Sequence, residues 1–171
     1  MITLDKTAAD RWLEEAVKAH GDNLLRLCFL YLHDRMLAED AVQETFLRAY
    51  RAHSRFRGDS SEKTWLTRIA INVCKSALRR ERPLPLSEAA EGSYENRFRD
   101  DTVLQAVCAL PDKLREVVLL YYFQELSTPE IAQMLHLPRN VITARLSRAR
   151  AQLKNQLKGW YFDEQTETAS E

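Results

Sequence analysis

The stretch "LSTPEIAQMLHLPRNVITARLSRARAQLK" (Leu126–Lys154) decides how this chain is read. Ser127 and Glu130 stand three apart, the spacing at which a capping hydroxyl and an acid satisfy each other's backbone N–H groups at a helix start. Pro129 falls in the first turn, where a missing N–H removes no bond. A tight "HLPRN" turn leads into a longer helix with a core stripe of Ile142, Leu146, Ala149, Leu153 and Leu157. Opposite run Thr143, Ser147, Arg150 and Lys154, flanked by Ala144 and Arg148. A short helix, a tight turn and a longer basic helix make a helix-turn-helix pattern, whose second helix enters the DNA major groove. An ordinary helical hairpin with a basic face has the same pattern, so these residues alone leave both readings open.

Charge supports a polyanionic partner once it is read locally. Lys plus Arg and Asp plus Glu each number 25, for a formal net charge of zero. Yet Arg139, Arg145, Arg148, Arg150, Lys154 and Lys158 follow one another without an acid between them. Arg48, Arg51, Arg55 and Arg57 do the same, and Lys63, Arg68, Lys75, Arg79, Arg80 and Arg82 are interrupted by Glu81 alone. The neutralising acids sit at Glu88, Glu91, Glu95, Asp100 and Asp101, and at Asp163, Glu164, Glu167 and Glu171. Zero net charge thus conceals three basic patches.

Composition sets the fold class. The 171 residues suffice for one or two small domains, and 45% apolar with 29% charged content is that of a soluble globular chain. Four glycines, five prolines and no convincing strand alternation predict an all-α fold. The segment Arg82–Asp101 holds Pro83, Pro85 and Gly92, lacks an apolar stripe and is acid-rich, so it reads as a flexible linker. Caps and periodicity predict about three to four helices before it and about four after. No signal peptide is expected, and "LLRLCFLYL" (Leu24–Leu32) is too short to span a bilayer, so it reads as a buried helix. Cys28, Cys74 and Cys108, odd in number and far apart, suit buried reduced thiols better than disulfides or zinc.

In the first domain Ala38, Ala41, Val42, Thr45, Phe46, Ala49 and Tyr50 share a helix face opposite Glu39, Asp40, Gln43, Glu44 and Arg48. Gly58 lies in a turn, with Asp59, Ser60 or Ser61 as the next N-cap. The following helix buries Trp65, Leu66, Ile69, Val73 and Leu78, or subsets of them, and shows Arg68, Asn72, Lys75, Arg79 and Arg80 on its polar side. After the linker, "LPDKLREVVLLYYFQEL" reads as one mostly buried helix with Leu114, Val117, Val118 and Tyr121.

Two long stretches carry a family resemblance. "LAEDAVQETFLRAYRAHSRFRGDSSEKTWLTRIAINVCKSALRR" resembles the second conserved region of extracytoplasmic-function sigma factors, and "LPDKLREVVLLYYFQELSTPEIAQMLHLPRNVITARLSRARAQL" resembles their fourth. The resemblance implies a region-2-like domain over 1–82, a linker over 83–101, a region-4-like helix-turn-helix domain over 102–161 and an acidic tail over 162–171. It implies docking on the β′ clamp helices of core RNA polymerase through Asp40, Gln43, Glu44, Leu47 and Arg48, and a further contact with the β flap. Handling of the minus-ten element, with a base flipped into a loop pocket, falls by resemblance to Arg57, Ser60, Ser61, Lys63, Arg68, Asn72, Lys75, Arg79 and Arg80. Trp65 would pack inward rather than act as a stacking wedge. Reading of the minus-thirty-five element falls to Arg139, Asn140, Thr143, Ala144, Ser147 and Arg148. The family also implies a linker threading the polymerase cleft, for which a plain solvated tether is the alternative, and an anti-sigma partner.

The sequence departs from the family where it would read DNA. The common pattern is close to "P-x-G-T-V-x-S-R", and here stands "PRNVITAR". Asn140 replaces a glycine, Thr143 takes a frequently basic position, and Glu125 and His136 stand where glycine is common. Asn and His tolerate a left-handed backbone better than most residues, and Glu less well. Thr143 and Ala144 offer methyl groups to thymine.

Three other classes compete. A stand-alone helix-turn-helix regulator would show a dimerisation or ligand-sensing domain. An enzyme would need more than His20, His33, His53 and His136 scattered without metal-ligand or phosphate-loop spacing, and His33 beside Asp34 reads as a helix end. A pure interaction bundle leaves the basic patches unused. The expectation is therefore a cytoplasmic sigma factor with no catalytic site, metal or cofactor of its own and no membrane insertion, acting on promoter DNA with core polymerase.

Overall fold

The computed structural model describes residues 7–81 and 102–167. All regular elements among them are helical, and the chain divides into two units. The expected linker, 83–101, with its five acids, lies outside the described residues.

In the first unit, α1 (Ala8–Leu32) opens on a capping box. Thr7 Oγ1 accepts from Asp10 N–H, and Asp10 Oδ2 accepts from Thr7 N–H at 2.9 Å. The helix ends at His33, whose left-handed backbone (φ 57°) returns its N–H to Phe29 O. Asp34 at once caps α2 (Arg35–Ala52), its Oδ1 accepting from Leu37 N–H at 2.9 Å. His33 and Asp34 thus reverse the chain, as a helix end would.

Small residues on α2 decide how closely it meets its neighbours. Ala38, Ala41, Thr45 and Ala49 are all buried, against an α1 face of Leu24, Leu27, Cys28 and Tyr31. Thr45 satisfies its buried hydroxyl on Ala41 O at 2.6 Å. A short 3-10 turn, His53–Arg55, and a loop then lead to α3 (Glu62–Glu81). Ser61 is the N-cap of α3, its Oγ accepting from Thr64 N–H at 3.1 Å. The buried face of α3 is Leu66, Ala70, Ile71, Val73 and Cys74. Trp65, Ile69 and Leu78, expected in that core, are only half-buried, as are Val42 and Tyr50 on α2. Burial of each leucine contributes about 1.5–3 kcal/mol, against about 0–1 for a surface ion pair, so this core rather than the charge pattern holds the unit together. Cys28 and Cys74 are buried free thiols, and Cys74 is pushed far up by its hydrogen bond to Cys28 and by burial.

In the second unit, α4 (Thr102–Cys108) turns into α5 (Asp112–Val118) around a buried arginine. Arg115 Nη1 donates to the carbonyls of Cys108 and Leu110 (3.1 and 3.0 Å), while Nη2 reaches Asp112 Oδ1 at 2.8 Å. Leu114, Val117 and Val118 are buried as expected, whereas Tyr121 is half-exposed. The reason is that the helix widens: Leu119–Phe123 is a π turn, with Gln124 N–H bonded to Leu119 O five residues back. Glu125 then adopts a left-handed backbone, φ 59°.

The helix-turn-helix follows. Helix α6 (Thr128–Leu135) has the expected capping box, Ser127 N–H donating to Glu130 Oε2 at 2.8 Å and Ser127 Oγ accepting from Glu130 N–H. It ends at His136, left-handed at φ 54°, and α7 (Arg139–Glu167) begins three residues later. Asn140 lies inside the first turn of α7 and not in a left-handed turn, so its place in the family's glycine position demands no special backbone. Ile142, Leu146 and Ala149 are buried, while Leu153 and Leu157 are half-buried. The helix continues to Glu167, past the expected boundary at 161.

Candidate polymerase and nucleic-acid interfaces

Helix α2 presents a continuous stripe to solvent. Met36, Asp40, Gln43 and Leu47, spaced four, three and four apart, are all exposed, Met36 at 76% and Leu47 at 49%. The two apolar residues flank the acid and the amide. Beside this stripe Arg48 Nε donates to Glu44 Oε1 at 2.6 Å, and that contact holds the Glu44 carboxyl below its usual range. Glu44 and Arg48 therefore face outward as a pair.

The second surface begins at the loop after α2. Arg55, Arg57, Gly58 and Asp59 are exposed, and Gly58 takes φ 74° with open space around its missing Cβ. Ser60 is half-buried, and the Ser61 hydroxyl is engaged in capping α3. Along α3, Arg68, Asn72, Lys75 and Arg79 recur at helical spacing and form one stripe, with Lys63 a turn earlier and Arg80 alongside. Asn72, Arg79 and Arg80 are exposed. Arg68 Nε is buried without a hydrogen-bond partner among the described residues. Arg79 leans on Ser76 Oγ at 3.3 Å.

The third surface is the N-terminal half of α7. Arg139, Asn140, Thr143, Ala144 and Ser147 line one shallow concavity, and Arg148 is exposed one position beyond it. Five of the six residues expected to read DNA are thus side by side. Thr143 Oγ1 donates to Arg139 O at 3.1 Å, which spends its hydroxyl proton on the backbone and leaves the methyl and the Oγ1 lone pairs for other contacts. Arg150 is held elsewhere, its Nε bonded to Tyr122 Oη at 2.8 Å.

The same chain also matches known families in the same order. The profile described as Sigma-70 region 2 matches residues 16–83, and that described as Sigma-70, region 4 matches residues 100–153. RNA polymerase sigma-H factor of Pseudomonas aeruginosa is 36% identical over 162 residues, covering 83% of this chain and 84% of that protein. ECF RNA polymerase sigma factor SigW of Bacillus subtilis is 32% identical over 164 residues, covering 84% and 88%. The chain belongs to the extracytoplasmic-function sigma factors.

As a sigma factor it binds core RNA polymerase and directs promoter recognition and transcription initiation. Solved structures agree on the fold. CnrH, in complex with the cytosolic domain of CnrY, superposes with TM-score 0.64 at 27% identity, covering 87% of this chain and 89% of that one. RpoE of Bartonella quintana, solved with the anti-sigma factor NepR, gives 0.70 at 22% identity, covering 86% and 98%. No helix among the described residues of the sigma factor is long and apolar enough to cross a membrane.

One constellation was not legible beforehand. Trp12 stacks on His53 with ring centroids 4.2 Å apart, and its Nε1 donates to Glu62 Oε2 at 2.7 Å. His20 Nε2 lies 3.1 Å from the other carboxylate oxygen. A sequence signal existed only for the parts, namely a half-buried tryptophan on α1 and an acid in the first turn of α3. Nothing in their spacing paired them.

Proposed function

We propose that the sigma factor divides its work among the three surfaces. Asp40, Gln43 and Leu47, with the Glu44–Arg48 pair beside them, dock core polymerase at the β′ clamp. An exposed acid–amide patch with apolar ends on a rigid helix suits a charge-complementary site that must fix orientation. The loop around Arg57 and Ser60, the cap at Ser61 and the α3 residues Lys63, Arg68, Asn72, Lys75, Arg79 and Arg80 handle the minus-ten element. The cations neutralise backbone phosphate, and capture of an unstacked base offsets a stacking loss of about 1–2 kcal/mol per step.

Helix α7 reads the minus-thirty-five element. Arg139 and Arg148 suit phosphate or guanine edges, and Thr143 and Ala144 suit thymine methyls. The observation that carries this is the single concave face holding Arg139, Asn140, Thr143, Ala144 and Ser147 at the start of a helix-turn-helix second helix. The domains run over 1–82 and 102–161, with the acid-rich stretch 83–101 as the linker and the β flap as the second polymerase contact. The protein works in the cytoplasm, without a catalytic site of its own, under an anti-sigma partner.

Run-off transcription tests the reading. Core polymerase is assayed with and without the protein on promoter fragments from its own genome. Discrete transcripts that require the protein are expected, and their upstream sequences supply the bases read. DNA binding by the protein alone, with no transcripts, would instead indicate a stand-alone regulator.

A further inference from the structure

The loop at His53–Ser61 turns on Phe56 N–H, which donates to His53 O at 3.0 Å, and on Gly58, which sits at positive φ with open space around it. Its anchors come from α1. The Trp12 indole is flanked by His53, stacked at 4.2 Å and 28°, and by Trp65, tilted at 6.0 Å and 54°. Trp65 in turn stacks on Phe56 at 4.7 Å and 27°. The Trp12 Nε1–H is fixed on Glu62 Oε2 at 2.7 Å, and the second oxygen of Glu62 is 3.1 Å from His20 Nε2. Two residues before Trp12, Asp10 Oδ1 accepts from Tyr50 Oη at 3.0 Å, tying the same end of α1 to α2.

These contacts bracket the loop. His53 is its first residue, Phe56 lies within it, Glu62 follows its last, and Trp65 stands one turn further along α3. The indole therefore holds the loop's two ends at a fixed separation, while its tip, carrying Arg55, Arg57 and Asp59, stays exposed. A loop that must receive an unstacked base binds more tightly if it is ordered beforehand, because the ordering entropy is then spent in folding and not in capture.

We propose that Trp12 and Glu62 are positioning residues for promoter opening: they pre-set the His53–Ser61 loop for base capture without touching DNA. The proposal rests on the reading of that loop as the minus-ten element's receiver, and it adds α1 to the machinery.

The test compares Trp12→Leu, Trp12→Phe, Glu62→Ala and Glu62→Gln, each as the full chain bound to core polymerase. Transcription is measured on a duplex promoter and on the same promoter with a pre-melted minus-ten bubble. Loss of loop ordering should lower duplex initiation about tenfold for Trp12→Leu and Glu62→Ala. On the bubble, where capture no longer has to offset unstacking, activity should return to within about twofold of the parent protein. Glu62→Gln keeps a carbonyl oxygen for the indole N–H and should rescue most of the loss, and Trp12→Phe, stacked but without the donor, should fall between. Equal losses on duplex and bubble, or weakened core binding, would reduce Trp12 and Glu62 to fold stabilisers and overturn the proposal. Unchanged duplex initiation would overturn it too. Arg57→Ala and Ser60→Ala separate the two levels. If they impair opening and the Trp12 variants do not, only the clamp fails; if they too are silent, the reading of the loop fails with it.

Discussion

Arg150 and Tyr122 lock the last helix of the sigma factor to the π turn that precedes its helix-turn-helix. Arg150 Nε donates to Tyr122 Oη at 2.8 Å, and the guanidinium lies 5.6 Å from the Tyr121 ring centroid and 5.8 Å from that of Tyr122. The π turn makes this possible, since a wider turn shifts the phase of every following side chain. Tyr122→Phe keeps the ring beneath the cation and removes only the hydrogen bond. It should lower stability by about 0.5–1 kcal/mol in denaturant titration, and Tyr122→Ala should lower it further by losing the cation–π contact as well.

The stripe on α2 proposed for docking gives a cleaner test than charge deletion would. Glu44 is bonded to Arg48, so Glu44→Ala also releases an arginine. Gln43 is exposed at the centre of the stripe. Gln43→Ala should weaken core polymerase binding by about 1–2 kcal/mol, roughly tenfold in Kd, with an unchanged helical circular dichroism spectrum. Adding Glu44→Ala should weaken it further. Normal core binding by the double variant would remove this face from the interface.

Most of the fold was legible because it is local. The capping box at Ser127 and Glu130, the helix end at His33 and the stripe of Ile142, Leu146 and Ala149 all rest on spacings within one or two turns. Two of the three glycine-like positions were legible too: Glu125 and His136 adopt left-handed backbones, whereas Asn140 is helical. What escaped lies in contacts between elements. Nothing in the sequence says that Trp12 meets His53 and Glu62, 41 and 50 residues away. The π turn at Leu119–Phe123 escaped for a different reason: a run of apolar residues fits an α or a π register equally well. The same limit applies on α3, where Ala70, Ile71 and Cys74 took core places that were assigned to Trp65, Ile69 and Leu78.

The left-handed His136 marks a site where stability is recoverable. A side chain at positive φ costs about 1–2 kcal/mol, whereas glycine loses about 0.5–1 kcal/mol through the unfolded chain. His136→Gly should therefore raise stability by about 0.5 kcal/mol, at the low end because His tolerates the conformation better than most residues. Thermal unfolding of the variant checks the sign. A lower Tm for His136→Gly would mean that its side chain makes a compensating contact.

The capping box of α6 carries a pH dependence. Hydrogen bonds from Ser127 hold the Glu130 carboxyl below the 4.5 of an unperturbed group. A carboxyl depressed on folding contributes stability at pH above its unfolded value and loses it as pH falls through the folded one. Ser127→Ala should cost about 1 kcal/mol near neutral pH, and the gap between variant and parent should narrow as pH drops below about 4, the part due to Ser127 Oγ accepting from Glu130 N–H remaining. Urea titrations at pH 7 and pH 3 read both.

On the proposed reading, phosphate binding and base reading on α7 can be separated. Arg148 is exposed just beyond the concave face, and a phosphate contact is the role proposed for it in this test. Arg148→Ala should weaken binding to every promoter sequence alike and flatten the plot of log K against log salt by about 0.9, the contribution of one phosphate contact. Thr143 is expected to behave differently, because its hydroxyl proton is spent on Arg139 O and its methyl suits a thymine. Thr143→Ser keeps the backbone bond and removes the methyl, so it should leave the salt slope intact while lowering discrimination at one base pair by about 1 kcal/mol. The two slopes, measured on matched and single-mismatch duplexes, tell the roles apart. An unchanged slope for Arg148→Ala would remove Arg148 from the DNA interface, and undiminished discrimination by Thr143→Ser would remove the methyl contact.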